Sequence, residues 1–226
     1  MGSRLGVLVM AAGKGTRMRS ELPKVLHPIL DMPMLGHLLR SLLGCGAEEV
    51  AVLVGSGGEQ VEAYLRTFPD VKVLWQREQL GTGHAVKVAR GWWEGFDTLL
   101  VLNGDLPLLR PETLRAVLDR CSREPVSCTL LSFEAQDPDG YGRVIHVPGG
   151  VRIVEHKDAS AAEREVREVN AGCYVFDVEA LARVIDRIGN DNAQGEYYLP
   201  DAVSLMQAEE MPVRAVRMPE EEMMGV

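Results

Sequence analysis

The chain has 226 residues, of which 46% are hydrophobic and 25% charged, and its formal net charge is −9. This length and composition predict one large soluble α/β domain, or at most two small ones. The acidic balance disfavours a nucleic-acid partner, because such binding depends on phosphate neutralisation by Lys and Arg. No apolar run reaches the roughly 20 residues of a membrane-spanning helix, and no secretory signal is evident, so we expect no membrane partner and a cytoplasmic location.

The four cysteines are scattered along the chain. Cys45, Cys121, Cys128 and Cys173 form no CxxC pair and have no histidine at ligand spacing. We therefore expect buried thiols in a reducing compartment and no metal site built from cysteine.

The first half of the chain alternates buried-strand and helical patterns. Strands are predicted at Leu5–Met10, Val50–Val54, Val71–Trp75 and Thr98–Leu102, and helices at Met34–Leu43, Glu59–Phe68, Gly83–Arg90 and Pro111–Arg120. This alternation predicts a Rossmann-like, doubly wound, mostly parallel mixed sheet with helices on both faces.

The second half has a different pattern. It predicts strands at Ser127–Phe133 and Gly172–Phe176, a hairpin of Arg143–Val147 with Val151–Glu155, and helices at Asp177–Ile188 and Leu199–Gln207. The run Glu220–Glu222 within Met211–Val226 favours a mobile, solvated tail. There is no internal repeat and no linker, so we expect a single domain over residues 1–226.

The loop after the first strand is the most informative local feature. Gly13 and Gly15 permit a tight turn and close approach of a ligand, and backbone N–H groups in such a loop form an anion-binding concavity. Lys14, Arg17 and Lys24 place three cations around it. The loop lacks the Walker A order and the third glycine of a dinucleotide fingerprint. It predicts a site for a ligand with several phosphates, with a plain tight turn as the alternative.

A carboxylate follows the fourth predicted strand, at Asp105 in Asn103-Gly-Asp. Ligands of open α/β sheets bind at the carboxyl ends of strands, so Asp105 and the glycine loop are expected in one crevice. One carboxylate together with phosphate oxygens is a typical arrangement for Mg²⁺. A turn residue without a ligand is the alternative for an isolated Asp.

Ala11–Met18 (AAGKGTRM) followed by Pro23-Lys24 resembles the signature of sugar-nucleotide pyrophosphorylases. Further segments resemble, in order and over nearly the whole chain, the bacterial uridylyltransferases of that family that act on N-acetylglucosamine-1-phosphate. These segments are Gln76–His84 (QREQLGTGH), Asn103–Asp105 (NGD), Asp137–Arg143 (DPDGYGR), Val154–Ala159 (VEHKDA), Glu168–Asn170 (EVN) and Asn190–Tyr198 (NDNAQGEYY).

The resemblance implies a reaction, a fold and a set of partners. UTP and N-acetylglucosamine-1-phosphate would give UDP-N-acetylglucosamine and pyrophosphate, for synthesis of cell-wall precursors, with Mg²⁺ as cofactor. The fold would be the nucleotidyltransferase, glycosyltransferase-A-like form of the doubly wound sheet with a smaller sugar-binding lobe. Residues 1 to about 110 would form the nucleotide-binding part, and residues from about 111 to 226 the sugar-binding part.

The resemblance also assigns site residues. Arg17, Lys24 and Asp105 would be catalytic, with Asp105 as the metal ligand. The residues implied in substrate binding are Met10, Ala11, Ala12, Gly13, Lys24, Gln76, Gly81, Thr82, Asn103, Gly104, Gly140, Glu155, Asn170 and Tyr197. Within this set, Gln76, Gly81 and Thr82 would contact uracil, whose edge an amide side chain can match. Gly140, Glu155, Asn170 and Tyr197 would contact the sugar.

The chain departs from the family pattern at its end. The family has an Asn that completes the metal site after a Gly-Val, whereas this sequence stops at Gly225-Val226. Full-length family members continue into a left-handed β-helix of hexapeptide repeats that acetylates glucosamine-1-phosphate and forms the homotrimer, and no such period occurs here. We expect weak metal binding by Asp105 alone and no acetyltransferase activity.

Three other functions compete with this interpretation. In the first, the chain is a pyrophosphorylase for another sugar or another base, for example one that uses glucose-1-phosphate with UTP. In the second it binds a nucleotide sugar without catalysis, because the last metal ligand is missing. The third, a glycosyltransferase, is disfavoured because Asn103-Gly-Asp105 has one carboxylate where an Asp-x-Asp motif is usual.

Overall fold

A computed structural model describes residues 3–13, 20–55 and 57–225. The strands are Leu5–Ala11 (β1), Pro28–Ile29 (β2), Met32–Pro33 (β3), Glu49–Val54 (β4), Val71–Trp75 (β5), Thr98–Asn103 (β6), Cys128–Glu134 (β7), Arg143–Val147 (β8), Gly150–Val154 (β9), Glu168–Asp177 (β10) and Val213–Arg217 (β11). The α-helices are Met34–Leu42 (α1), Glu59–Leu65 (α2), Thr82–Val88 (α3), Arg90–Trp93 (α4), Pro111–Arg123 (α5), Ala161–Arg164 (α6), Val178–Val184 (α7), Pro200–Ala208 (α8) and Glu220–Met223 (α9). Short 3-10 helices occur at Lys24–Leu26 and Ile185–Arg187.

One large sheet passes through both halves of the chain. Its strand order is β11-β7-β10-β6-β1-β4-β5, and β8 extends it by pairing with β10 and β9. Strands β5, β4, β1 and β6 are parallel, β10 runs antiparallel to β6 and β7, and β11 is parallel to β7. The predicted fold class, a mostly parallel mixed sheet, is confirmed.

The core lies on both faces of this sheet. Val7 and Val9 of β1 pack on one side, against α1, α2 and α5, whereas Leu8 packs on the other side, against α3, α7 and α8. All three side chains are fully buried. Helices on both faces explain why the strand is apolar at consecutive positions and does not alternate.

Two of the predicted helices are interrupted before the end that the sequence pattern indicates. The helix expected at Gly83–Arg90 breaks at Ala89, where the backbone leaves helical geometry (ψ 1°) and α4 begins. The helix expected at Asp177–Ile188 changes to a 3-10 turn after Val184. Asp177 caps this helix, since its carboxylate accepts a hydrogen bond from Ala180 N at 2.8 Å.

The prediction of a mobile, solvated C-terminal tail is wrong. Strand β11 pairs in parallel with β7, and α9 follows it. In α9 the side chains of Glu222 and Met223 are buried, and the Glu222 carboxylate accepts a hydrogen bond from Arg110 N at 3.2 Å. The prediction rested on charge alone, whereas the three glutamates lie on a short helix that packs one side against the core.

The strand order fixes where a ligand site is expected. From β1 the chain moves outward to β4 and β5, then returns to β6 on the opposite side of β1. The order reverses between β1 and β6, and a crevice opens at the carboxyl ends of strands at such a point. None of the helices in the described ranges is long and apolar enough to cross a membrane.

Candidate active site

A cleft of about 280 Å³ opens at the carboxyl ends of β1 and β6. Eight of the residues predicted for the site line it: Met10, Lys24, Thr82, Asn103, Asp105, Gly140, Glu155 and Asn170. They come from both halves of the chain, which the single sheet brings together. Three residues predicted for the nucleotide, Met10, Lys24 and Thr82, therefore share one cavity with three predicted for the sugar, Gly140, Glu155 and Asn170.

An ion pair between Lys24 and Asp105 lies in this cleft. Lys24 Nζ is 2.6 Å from Asp105 Oδ2, and the two side chains are 21% and 19% exposed. Lys24 begins a 3-10 helix directly after Pro23, whose backbone is extended (φ −51°, ψ 137°). The proline restricts the backbone at this position, so it helps to fix the lysine opposite the end of β6.

The ends of β1 and β6 are joined by backbone contacts. Gly104 N donates to Met10 O at 2.9 Å. A Cβ on Gly104 would lie 3.0 Å from Val25 Cγ1 and 3.2 Å from Met10 O. Glycine at 104 thus allows the close approach that places Asp105 at the cleft, while Ala11 is buried in the core.

The predicted uracil-binding loop follows β5. Gln76 is buried, and its Nε2 donates to Gly81 O at 3.2 Å and lies 3.0 Å from His84 Nδ1. A contact between uracil and this amide stays a prediction. Its N–H groups bond within the loop, so Oε1 is the atom that it can present to a ligand.

Gly81 and Tyr197 brace each other beside this loop. Tyr197 N donates to Leu80 O, and Gly83 N donates to Tyr197 O. A Cβ on Gly81, which has a φ of +109°, would lie only 2.5 Å from Tyr197 O. The wall of the cleft does not include Gln76, Gly81 or Tyr197. We expected Tyr197 to contact the sugar there.

The predicted uracil-binding loop also contacts the segment after β1. Gln79 Nε2 donates a hydrogen bond to Ala12 O. The Gln79 Oε1 atom is buried without a hydrogen-bond partner among the described residues. Gly13 is exposed, and Arg17, expected to be catalytic, lies outside the described residues together with the rest of 14–19.

The other end of the cleft has the polar groups predicted for the sugar. Gly140 has a φ of +79°, and its N–H donates to His156 Nδ1 at 3.3 Å. Glu155 directly follows β9, and burial raises the pKa of its carboxyl, with the charges of Asp158 and Asp201 as smaller causes. Asn170 N donates to Gly142 O at 2.8 Å, which joins β10 to the loop before β8.

Several cleft residues were missed in the sequence. They include Tyr174, Gly172, Met223 and Gly225. Tyr174 lies in a continuous apolar strand and has the pattern of a core residue. Met223 and Gly225 belong to the segment predicted as a tail. Among these four residues, only Gly172 has a signal in the sequence: its backbone φ is positive, and a positive φ favours glycine.

Asp105 is the carboxylate of the cleft that directly follows β6, and Asp139 and Glu155 also line the cleft. Among residues 3–13, 20–55 and 57–225, no group of three His, Cys, Asp or Glu side chains could hold one. Mg²⁺ is commonly held by one or two carboxylates together with substrate phosphates. Asp105 therefore fits an ion that arrives with a phosphorylated ligand, and it does not fit a site built from protein alone.

The sequence matches a known family over most of its length. Residues 7–173 match the MobA-like NTP transferase domain. The chain belongs to the MobA-like NTP transferase domain family. The matched part of the chain begins within β1 and ends within β10, and it includes Met10, Lys24, Asp105, Glu155 and Asn170.

Curated relatives match nearly the whole chain. A bifunctional protein GlmU of Thermus thermophilus is 48% identical over 221 residues, which are 97% of this chain and 48% of that protein. The bifunctional protein GlmU of Bacillus subtilis is 44% identical over 211 residues, 92% of this chain and 46% of that protein. The resemblance drawn from the motifs is confirmed, and the chain spans about half the length of these relatives.

Solved structures share the fold. A Bacillus anthracis protein named as a glucose-1-phosphate thymidylyltransferase superposes with a TM-score of 0.76 at 17% identity, covering 95% of this chain and 87% of that one. A UDP-glucose pyrophosphorylase complexed with UDP-glucose gives a TM-score of 0.75 at 17% identity, with 92% and 88% covered. At this identity the likeness concerns the fold alone.

Proposed function

We propose that this chain transfers uridylyl from UTP to N-acetylglucosamine-1-phosphate, releasing pyrophosphate. The observation that carries the proposal is the single cleft with Lys24 and Asp105 at one end and Glu155 and Asn170 at the other. Family membership supports nucleotidyl transfer, and the motif resemblance supports the two substrates.

The proposed reaction needs charge neutralisation and positioning. The attacking oxygen of a sugar phosphate is already ionised, so no protein nucleophile is required. Lys24 would break its ion pair with Asp105 and bind phosphate oxygens instead, and Arg17 would add a second cation. Gly13 and its neighbours in the loop after β1 would donate backbone N–H groups to the triphosphate.

The base and the sugar would be held at opposite sides of the phosphates. Gln76 Oε1 would accept from uracil N3–H, because its N–H groups bond to Gly81 and His84. Asn170 can donate to and accept from the sugar. Glu155 would accept from sugar hydroxyl groups.

A divalent metal, which we propose to be Mg²⁺, would bind through Asp105. When bound, it would supply positive charge to the phosphate oxygens. The 2.6 Å ion pair implies that Lys24 must move before Oδ2 of Asp105 is fully available. Binding of the nucleotide phosphates by Lys24 and exposure of the metal ligand would therefore be coupled.

The test is turnover of UTP and N-acetylglucosamine-1-phosphate with Mg²⁺, measured as pyrophosphate and as UDP-sugar. We expect both products in equal amounts. Lys24→Met should lower kcat/KM by about 100-fold or more, the range for a lost charge-stabilising group. Lys72→Met is the matched control, because Lys72 pairs with Glu49 at 2.7 Å on the surface. Absence of UDP-sugar, or equal effects of the two variants, would contradict the proposal.

A pyrophosphorylase for another sugar-1-phosphate, the alternative that the motifs leave open, is the second candidate. A panel of sugar phosphates with UTP separates the candidates. Equal kcat/KM for glucose-1-phosphate and N-acetylglucosamine-1-phosphate would exclude our choice. Binding of the nucleotide sugar without pyrophosphate release would favour a non-catalytic protein.

Location and cellular role follow as proposals from the same resemblance. We propose a cytoplasmic location, since all four cysteines are free thiols, as is usual in a reducing compartment. A role in cell-wall precursor synthesis would follow from the UDP-sugar product.

A further inference from the structure

A bulge in β10 places Asn170 and Tyr174 side by side. The pairing of β10 with β7 shifts register between Asn170 and Cys173, and Gly172 adopts a φ of +66° there. In a regular strand two residues four apart are separated by about 13 Å. Here Asn170 Nδ2 donates to Tyr174 Oη at 2.5 Å. The bulge therefore builds a contact that a straight strand could not make.

Two contacts hold the Asn170 amide, and the one with Gly172 N sets its orientation. Its Oδ1 accepts from Gly172 N at 3.1 Å, while its Nδ2 donates to Tyr174 Oη. Rotation of the amide by 180° would place a donor against a donor at Gly172. One N–H and one lone pair of Asn170 remain for a ligand, because an amide offers two of each.

The Tyr174 phenol is held firmly in the wall of the cleft. The residue is 1% exposed, and its ring stacks on Phe176 with 5.5 Å between centroids. Burial, and to a smaller degree the Glu155 carboxylate, raises the pKa of Tyr174 well above its usual range. The phenol is therefore neutral and keeps its proton across the physiological range.

We propose that Tyr174 is a positioning residue for the sugar phosphate, acting through the amide of Asn170. This inference rests on the proposed function, because it assigns the sugar end of the same cleft. Tyr174 lines the cleft, whereas Gln76 and Gly81, which are proposed to bind uracil, do not. Tyr174 should therefore have no role in binding the base.

The test is Tyr174→Phe, which removes one oxygen atom and leaves the ring in place. We expect KM for N-acetylglucosamine-1-phosphate to rise about 2- to 10-fold, the range for one lost neutral hydrogen bond. The KM for UTP and kcat should change less than about 2-fold. The change should disappear in an Asn170→Ala background, because Tyr174 acts through that amide.

Tyr198→Phe is the matched control. Tyr198 is also buried, and its Oη accepts from an amide, Gln194 Nε2, at 2.7 Å, yet it is not on the cleft wall. Both variants should lose similar thermal stability, but only Tyr174→Phe should change the KM of the sugar phosphate. Equal KM changes in the two variants, no change in either, or an undiminished effect on Asn170→Ala would overturn the inference.

The design separates this inference from the proposed function. If the unaltered chain forms no UDP-N-acetylglucosamine, the proposed function fails, and binding of UDP-N-acetylglucosamine by calorimetry then tests Tyr174 directly. Weaker binding by Tyr174→Phe than by Tyr198→Phe would support its role. Equal binding by the two variants, or no binding by the unaltered chain, would overturn it.

Discussion

Replacement of Gly81 by alanine should be among the most damaging single-methyl additions in this chain. Gly81 precedes α3 with a φ of 109° and a ψ of 175°, a region that is essentially restricted to glycine. A Cβ would also lie 2.5 Å from Tyr197 O and 2.8 Å from Tyr197 N. These are backbone atoms, so a rotamer change cannot relieve the clash.

The magnitude follows from two contributions and two control positions. Backbone strain costs about 1–3 kcal/mol, and displacement of the Tyr197 backbone adds to it, so we expect a loss of about 3 kcal/mol or more. Gly46→Ala isolates strain: its φ is +88° and no described atom lies within 4 Å of the new Cβ. It should cost about 1–2 kcal/mol. Gly91→Ala, in α4 with open space around it, should be neutral or stabilise by up to about 1 kcal/mol.

The assay is urea and thermal unfolding of the three variants at equal protein concentration, with UTP kinetics on the same samples. At about 2–4 °C per kcal/mol for a chain of this size, Gly81→Ala should lower Tm by about 6 °C or more. It should also raise the KM for UTP, because the predicted uracil-binding loop must move away from Tyr197. If Gly81→Ala cost no more than Gly46→Ala, the backbone clash would have no energetic weight and the reasoning would be refuted.

Three further outcomes are expected. Burial raises the pKa of Glu155 in the folded chain, so ionisation of its carboxyl opposes folding. Glu155→Gln should therefore have a larger free energy of unfolding than the unaltered chain at pH 7. This difference should vanish below the ordinary pKa of 4.5, where Glu155 is protonated in both the folded and the unfolded chain. Urea unfolding at both pH values measures it, and a pH-independent difference would contradict the assignment. Met223→Ala should cost about 2–5 kcal/mol because the side chain is fully buried; a loss under about 0.5 kcal/mol in thermal unfolding would mean that α9 does not pack as described. Asp177→Ala should cost about 1 kcal/mol in urea unfolding by removing the cap on Ala180 N, and Asp177→Asn should restore most of it.

The sequence determined the fold class through the spacing of its apolar residues. Continuous apolar runs at β1, β4 and β6, with helical patterns between them, are typical of strands covered on both faces. The motifs around Lys24, Asp105 and Glu155 were also visible, because the resemblance gives each a fixed place along the chain. Patterns of this kind are local, so no knowledge of distant contacts is needed.

Charge runs and buried polar residues could not be interpreted locally. The glutamates of α9 resemble a solvated tail, and only the packing of Met223 against the core shows that this segment belongs to the domain. Tyr174 resembles a core residue, because its contact with Asn170 depends on a bulge in the strand. Sequence spacing in a strand cannot predict such a contact.

By itself the sequence determined the doubly wound sheet and eight of the residues around one cleft. Only the tertiary structure decided that Lys24 rests on Asp105, that the N–H groups of Gln76 bond within its own loop, and that Tyr197 supports Gly81. The physical reason is that apolar periodicity and backbone preferences act over a few residues. The partner of a polar side chain, in contrast, is chosen by whichever distant groups the packed sheet brings within hydrogen-bond distance.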